Sequence, residues 1–347
     1  METGWKRNVL IIYCMERKNN MMRPLHIIMP MAGEGSRFRK EGWTTPKPLI
    51  ELNEMPLFVR AIQSVAISDV RMKYSFIVRQ EHIDEYEIDK QIKGILPEAN
   101  LFSVEKTTRG AVETCLLAES AIDRKDAVII MDCDLEFRST SFLSTIRNVL
   151  SRPATEVDGG ALVSFESCNP KYSYAEVDEN NRVICTAEKK VISNHALCGA
   201  YFFSVASGFL KAAHRLLNDT AFTEPEYYVS LLYNDLLKND ETVLLCNMEK
   251  YYSYGTPEEL KQYLFANYNY LRAYFAEYLS EFPVSMLEGT YLVWVDCSVL
   301  NQSSDEIVKT LLEKEKLWVN EGSLYGEAGE GFIRINIACP RQQLIEG

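Results

Sequence analysis

The sequence predicts an α/β protein: a mostly parallel mixed sheet with helices on both faces, followed by a small α+β C-terminal module. Three observations lead there. Apolar strands alternate with helical patterns from residue 25 to 151, the signature of βαβ units. Closely spaced strands follow residue 158. The texture changes once more near residue 266.

Taken in order, "LHIIMPMA" (25–32) reads as a buried strand, "LFVRAIQSVAI" (57–67) as a helix and "KYSFIVR" (73–79) as a second strand. "HIDEYEIDKQIKGIL" (82–96) has the spacing of one helix, and "NLFSVEK" (100–106) is a third strand. "GAVETCLLAESAI" (110–122) opens a helix behind a glycine, and "DAVIIMDCD" (126–134) is a strand ending in acid, with a helix after it in 141–151. Then come the strands of 159–167, 172–190 and 196–205, with "DENN" (178–181) turning a hairpin. Helices follow in 208–219 and 224–239, then a strand in 242–248. "TPEEL" (256–260) starts a helix, with proline and glutamate in favourable first-turn places. From 266 an amphipathic stretch leads to "YLVWVDCS" (291–298), a helix in 305–317 and the strand "FIRINIA" (332–338).

The expected organisation is a leader over 1–21, a main domain over 22–265 and a C-terminal fragment over 266–347. The leader's "NVLIIYC" is too short to span a bilayer and has no small-residue cleavage site, so neither a membrane anchor nor a signal peptide is expected. A hydrophobic content of 47% over 347 residues suits a globular chain with a sizeable core. The formal net charge of -12 disfavours nucleic acid, and any anionic ligand needs a local cationic pocket. The 9 cysteines show neither zinc spacing nor a disulfide frame, which fits a reducing cytoplasm. The 4 histidines are scattered and read as structural or exposed.

The chemistry concentrates behind the first strand. In "AGEGSR" (32–37), Gly33 and Gly35 let backbone N–H groups approach an anion, while Arg37 and Lys47, the latter clamped by Pro46 and Pro48, add charge. The third glycine of a dinucleotide fingerprint is missing, as is the "GK[ST]" of a phosphate-binding ATPase loop. Alone, such a glycine pair is more often a plain turn. "MDCD" (131–134) places Asp132 and Asp134 at the same sheet edge, where carboxylates suit a Mg2+ that bridges phosphates.

"MPMAGEGSRF", "TPKPL", "GAVETCLLA", "MDCD", "AEKK", "CGAYFF" and "YGTPEEL" together resemble, in order, the sugar-phosphate nucleotidyltransferase superfamily over about 25–264. The likeness is strongest to a capsule and surface-polysaccharide branch near the phosphocholine cytidylyltransferases. It implies a Rossmann-like, glycosyltransferase-A-like sheet. It also implies that Ala32, Gly33 and Gly35 hold the nucleotide, with Arg37 and Lys47 on its phosphates. Gly110 and Ala111 would line the base pocket. Asp134 would bind Mg2+, while Asp132 stands where the branch often has a neutral residue. Glu188, Lys189 and Gly199 would face the acceptor. The implied reaction is in-line attack of an acceptor phosphate on the α-phosphorus of an NTP, with pyrophosphate leaving. One departure stands out: Ser253 occupies the place of a frequent second aspartate ligand, and Glu226 is a candidate substitute.

"EGTYLVWVDCS", "LLEKEKLWVNEGSLYG" and "GEGFIRINIACPR" resemble the small domain of fold-type I pyridoxal-phosphate aminotransferases, in the cystathionine β-lyase-like group. There the arginine of "FIRINIA", Arg334, would bind a carboxylate, here as a vestige. That family's large domain, with its Schiff-base lysine, has no counterpart upstream, so pyridoxal phosphate is not expected. The expectation is therefore a cytoplasmic, Mg2+-dependent enzyme acting on an NTP and a phosphorylated small molecule, without nucleic acid or membrane partners; an oligomer is compatible with it. The alternatives are part of a pyridoxal-phosphate aminotransferase or lyase, and a non-catalytic nucleotide-binding protein.

Overall fold

A computed structural model describes residues 22–52, 55–287, 291–339 and 341–346; the expected leader over 1–21 lies outside them. The described residues form two compact units, 22–50 with 56–254, and 51–52 and 55 with those of 255–346.

In the first unit the elements run β1 (Leu25–Met31), α1 (Ser36–Lys40), α2 (Leu57–Gln63), β2 (Met72–Arg79), α3 (Gln80–Tyr86), α4 (Ile88–Ile95) and β3 (Asn100–Val104). Next come α5 (Ala111–Leu116), β4 (Ala127–Met131), β5 (Leu135–Arg138), α6 (Thr140–Leu150), β6 (Gly160–Glu166), β7 (Ser173–Val177), β8 (Val183–Glu188) and β9 (His195–Phe203). The unit closes with α7 (Ala206–Leu217), α8 (Leu232–Lys238), β10 (Val243–Asn247) and β11 (Lys250–Ser253).

Strands β3, β2, β1 and β4 lie side by side and parallel, with Leu25 opposite both Met72 and Ala127. The chain thus builds outward from β1 to β3, then returns to add β4 on the other side of β1. Such a reversal opens a crevice at the carboxyl ends of β1 and β4, where ligands of doubly wound sheets bind. Beyond β4 the sheet turns antiparallel through β9, which also pairs β6 and β7; the parallel β6–β10 pair is the exception there. The expected hairpin is present as β7–β8.

Alternation in the strands covers both faces of the sheet. Ile28, Ile77, Val128, Ile130 and Phe203 pack with Val112 of α5 and Phe209 of α7. Their neighbours Phe76 and Phe202 point the other way, against Phe58 of α2 at 5.7 Å and Phe142 of α6 at 6.4 Å between ring centroids. Burying each such ring is worth roughly 1.5–3 kcal/mol.

The structure departs from the pattern reading in four places. The single helix expected over 82–96 is two, broken at Glu87, whose φ of 51° is left-handed. Apolar spacing continues across that break, so periodicity hides it. The helix expected over 224–239 begins only at Leu232, after a 3-10 turn over Val229–Leu231. The short antiparallel pair β5–β11 carries no strong alternation and is not expected from the sequence. Finally, 265/266 falls inside one unbroken helix, and the compact units divide at Tyr254/Gly255.

That helix, α9 (Pro257–Tyr278), belongs to the second unit; Thr256 caps it by accepting from the Glu259 N–H at 3.2 Å, with Pro257 in the first turn. The unit continues with β12 (Leu292–Asp296), α10 (Ser304–Thr310), β13 (Asn320–Glu321), β14 (Phe332–Asn336) and α11 (Arg341–Glu346). The three strands β12, β13 and β14 form an antiparallel sheet in the order β12-β14-β13. Buried Asn267 of α9 donates to the carbonyls of Ile337 and Cys339 at 2.8 and 2.7 Å, fixing helix to sheet through polar bonds that the core would otherwise penalise. Among the described residues no helix is long and apolar enough to cross a membrane.

Candidate active site

Both loops that leave the crevice strands carry chemistry. After β1, Ala32 is buried, while Gly33, Glu34, Ser36 and Arg37 face solvent. Gly35 has a φ of +61° that strains other side chains and starts α1. Around Gly33 a Cβ would meet nothing within 4 Å, so the protein itself does not demand glycine there. The loop is tied from outside by Arg79 at the end of β2, which donates to the Ala32 carbonyl at 3.3 Å and to Thr107 Oγ1 at 3.2 Å. Thr107 in turn donates to Glu34 at 3.0 Å. Sequence reading missed Arg79, because an arginine closing a strand looks like an ordinary solvated end.

Lys47 enters on a 3-10 turn between Pro46 and Pro48, and its Nζ donates to Asp134 Oδ2 at 2.8 Å. Burial disfavours the ammonium, but Asp134 first, then Cys133 and Asp132, outweigh it and hold its pKa above the ordinary lysine value. Asp132 goes the other way. Burial first, then Asp134, raise its carboxyl to about 7, while Lys47 pulls against them and Glu188 adds to the rise. Protein crowds the Asp132 carboxylate, yet more than a third of the residue's surface is open to solvent, the condition of a carboxylate that can still meet a ligand.

The backbone places these acids. The Asp132 N–H donates to the Gly199 carbonyl at 2.9 Å, extending the β4–β9 pairing by one residue. Gly199, at φ +94°, allows it: a Cβ there would lie 2.4 Å from Asp132 Oδ2. The Tyr254 N–H donates to the Asp134 carbonyl at 2.8 Å, and Ser253 pairs with Leu135. Ser253 therefore does stand beside the acid pair, and its hydroxyl bonds the Tyr251 side chain. Among the described residues no three His, Cys, Asp or Glu side chains gather into a metal cage. Glu226 is exposed, and its charge acts on Lys189. Two carboxylates with a surplus of negative charge still fit Mg2+, which keeps several waters and uses one or two protein carboxylates beside substrate phosphates.

Glu188 ends β8 and accepts from the hydroxyls of Ser173 and Ser230, the latter at 2.9 Å. Lys189 follows at a left-handed φ of 52°, and its Nζ donates to the Tyr228 hydroxyl at 2.7 Å. Gly110, with Ala111 opening α5, backs onto Tyr227, whose N–H donates to the Arg109 carbonyl at 3.0 Å. Tyr227 and Tyr228 were not singled out in the sequence, since "EPEYYVS" reads as helix. Arg334 is in the second unit, on β14, with its guanidinium 3.9 Å from the Tyr325 ring centroid. His26 and His82 are buried, His195 is half-buried, and exposed His214 bonds Glu119.

The strand reversal, with a glycine loop, a lysine and paired acids at one sheet edge, is that of a doubly wound α/β protein with a charged crevice. Residues 25–257 match the model of the nucleotidyl transferase family, and the chain belongs to that family. Its fold is that of a nucleoside-diphosphate-sugar pyrophosphorylase from Vibrio cholerae RC9, at TM-score 0.59 and 24% identity over 68% of this chain and 98% of that one. The inositol-1-phosphate CTP transferase from T. maritima is similar at TM-score 0.53 and 15% identity, over 69% of this chain and 92% of that one. The curated relatives are of another kind. Protein MalY of Escherichia coli (strain K12) is 28% identical over 180 residues, 51% of this chain and 43% of MalY. Cystathionine beta-lyase PatB of Bacillus subtilis (strain 168) is 33% identical over 102 residues, 29% of this chain and 26% of PatB. The chain spans less than half the length of either, and these matches support an aminotransferase-like C-terminal part.

Proposed function

We propose that the chain is a Mg2+-dependent nucleotidyltransferase that joins an NTP to a phosphorylated small molecule, a sugar 1-phosphate or a phosphocholine-like acceptor, and releases pyrophosphate. The observation that carries this reading is the convergence of the open glycine loop, Lys47 and the Asp132–Asp134 pair on one crevice. Backbone N–H groups at Gly33 and Gly35 and the Arg37 guanidinium would take the triphosphate. Gly110 and Ala111 would border the base. Lys47, already protonated, would exchange Asp134 for phosphate oxygens and stabilise charge as the bond to the leaving pyrophosphate breaks. A divalent cation on Asp134 and Asp132 would supply further charge neutralisation at the phosphates. Glu188 and Lys189 would hold the acceptor, Lys189 through its phosphate.

An acceptor phosphate is an anionic nucleophile already, so no strong general base is needed. The aromatic side chains of Phe165, Tyr172 and Tyr251, with Phe165 ring centroids 4.9 and 4.5 Å from the other two, are compatible with a sugar or a methylated ammonium. The biological setting proposed is surface-polysaccharide biosynthesis in the cytoplasm. A pyrophosphate-release screen of CTP, UTP, dTTP and GTP against phosphorylated acceptors tests the reading. Release with one matched pair supports it; no release with any pair in the presence of Mg2+ overturns it.

A further inference from the structure

One segment touches both proposed subsites. Tyr227 lies against Gly110: its N–H donates to the Arg109 carbonyl and its own carbonyl accepts from the Val112 N–H, both at 3.0 Å. The approach is so close that a Cβ on Gly110, at φ +143°, would lie 2.4 Å from the Tyr227 nitrogen. The ring of Tyr227 is held on two sides, stacked on Phe222 at 4.6 Å and covered by the Arg109 guanidinium at 4.9 Å. One residue on, the Tyr228 hydroxyl accepts from Lys189 Nζ, which also lies 4.6 Å from that ring's centroid. Two residues further, the Ser230 hydroxyl donates to Glu188, and its carbonyl accepts from Thr186 Oγ1 at 2.7 Å.

Tyr227 to Ser230 thus bridges the Gly110 edge and the Glu188–Lys189 pair. Lys189 is a long, flexible cation on a strained backbone, so on its own it would sample many positions. We infer that Tyr228 and Ser230 are positioning residues that hold Lys189 and Glu188 in place for a phosphorylated acceptor, and that Tyr227 couples this arrangement to the base side of the crevice. The inference deepens the function proposed above and rests on it for the identity of the ligands.

The test uses the full chain in two readouts. In steady-state kinetics, Tyr228→Phe keeps the ring and removes the hydroxyl. It is expected to raise the acceptor KM about tenfold, with the NTP KM within twofold of the parent. Ser230→Ala should act in the same direction. Gly110→Ala, which pushes into Tyr227, should raise both KM values. In an acetylation footprint read by mass spectrometry, Lys189 should react slowly in the parent and severalfold faster in Tyr228→Phe. Inorganic phosphate should protect Lys189 in the parent. A Tyr228→Phe protein with unchanged acceptor KM, with both KM values raised equally, or with unchanged Lys189 reactivity overturns the inference. If the parent releases no pyrophosphate with any substrate pair, the proposed function fails separately. The footprint then decides the rest: unchanged Lys189 reactivity in Tyr228→Phe, or no protection by phosphate, overturns the positioning role too.

Discussion

Gly199 and Asp132 show how little room the acid pair has. Replacing Gly199 by alanine puts a methyl into the Asp132 carboxylate and strains a left-handed backbone, a cost of about 1–3 kcal/mol. The expected outcome is a folded protein of lower stability with weakened Mn2+ binding, checked by urea titration and calorimetry. Lys47→Ala and Asp134→Ala are each expected to lower kcat/KM by roughly 10²–10³-fold, the range seen when a charge-stabilising group is lost; activity left intact would remove both from the site. Lys47 also competes with a cation for Asp134, so without nucleotide Lys47→Ala should bind Mn2+ more tightly than the parent at pH 8. Because the Asp132 carboxyl is raised to about 7, protons compete with metal below that pH; parent Mn2+ affinity should fall as the pH is lowered from 8 to 6. At this scale the sequence was informative where residue type alone decides. Lys47 was legible from its Pro-Lys-Pro setting, the two aspartates from charge at a strand end, and Ser253 only through the family resemblance. Arg79, Tyr227, Tyr228 and Tyr251 were not, because they act through contacts that join distant segments.

Elements place those residues, and β1 carries a liability. His26 in β1 bonds Ser75 of β2 at 2.8 Å through Nε2, and burial first, then Lys73, lowers its pKa to about 4. The unfolded chain takes up this proton near pH 6.5, the folded chain only near 4, so stability is full above 6.5 and is lost as pH falls through that window. The loss from this group is about 2 kcal/mol at pH 5. Urea unfolding at pH 7 and 5 checks it, and His26→Gln should flatten the difference. The parallel strands were legible as short apolar runs. Glu87 and the β5–β11 pair were not: a left-handed residue leaves the helical period intact, and a four-residue strand offers too few positions for alternation to show.

Across the whole molecule, a nucleotidyl transferase domain and an aminotransferase-like part share one sequence. The purified protein is expected to show no pyridoxal-phosphate aldimine absorbance, and incubation with the cofactor should leave none after gel filtration. A stable aldimine band would revive the pyridoxal-phosphate reading. Change of texture along the chain revealed two parts, but the division at Tyr254/Gly255 was hidden, because α9 runs on through the residues where the texture shifts. The strand order has a last consequence. Leu25 pairs with Ala127 across the whole of residues 26–126, and the crevice exists only once that pairing closes. Such a distant closure carries an entropic cost, so early folding species are expected to hold strands and helices before the crevice forms. On the proposed function, nucleotide capture is expected only after the first strand has found its fourth, so nucleotide protection should lag behind secondary structure during refolding.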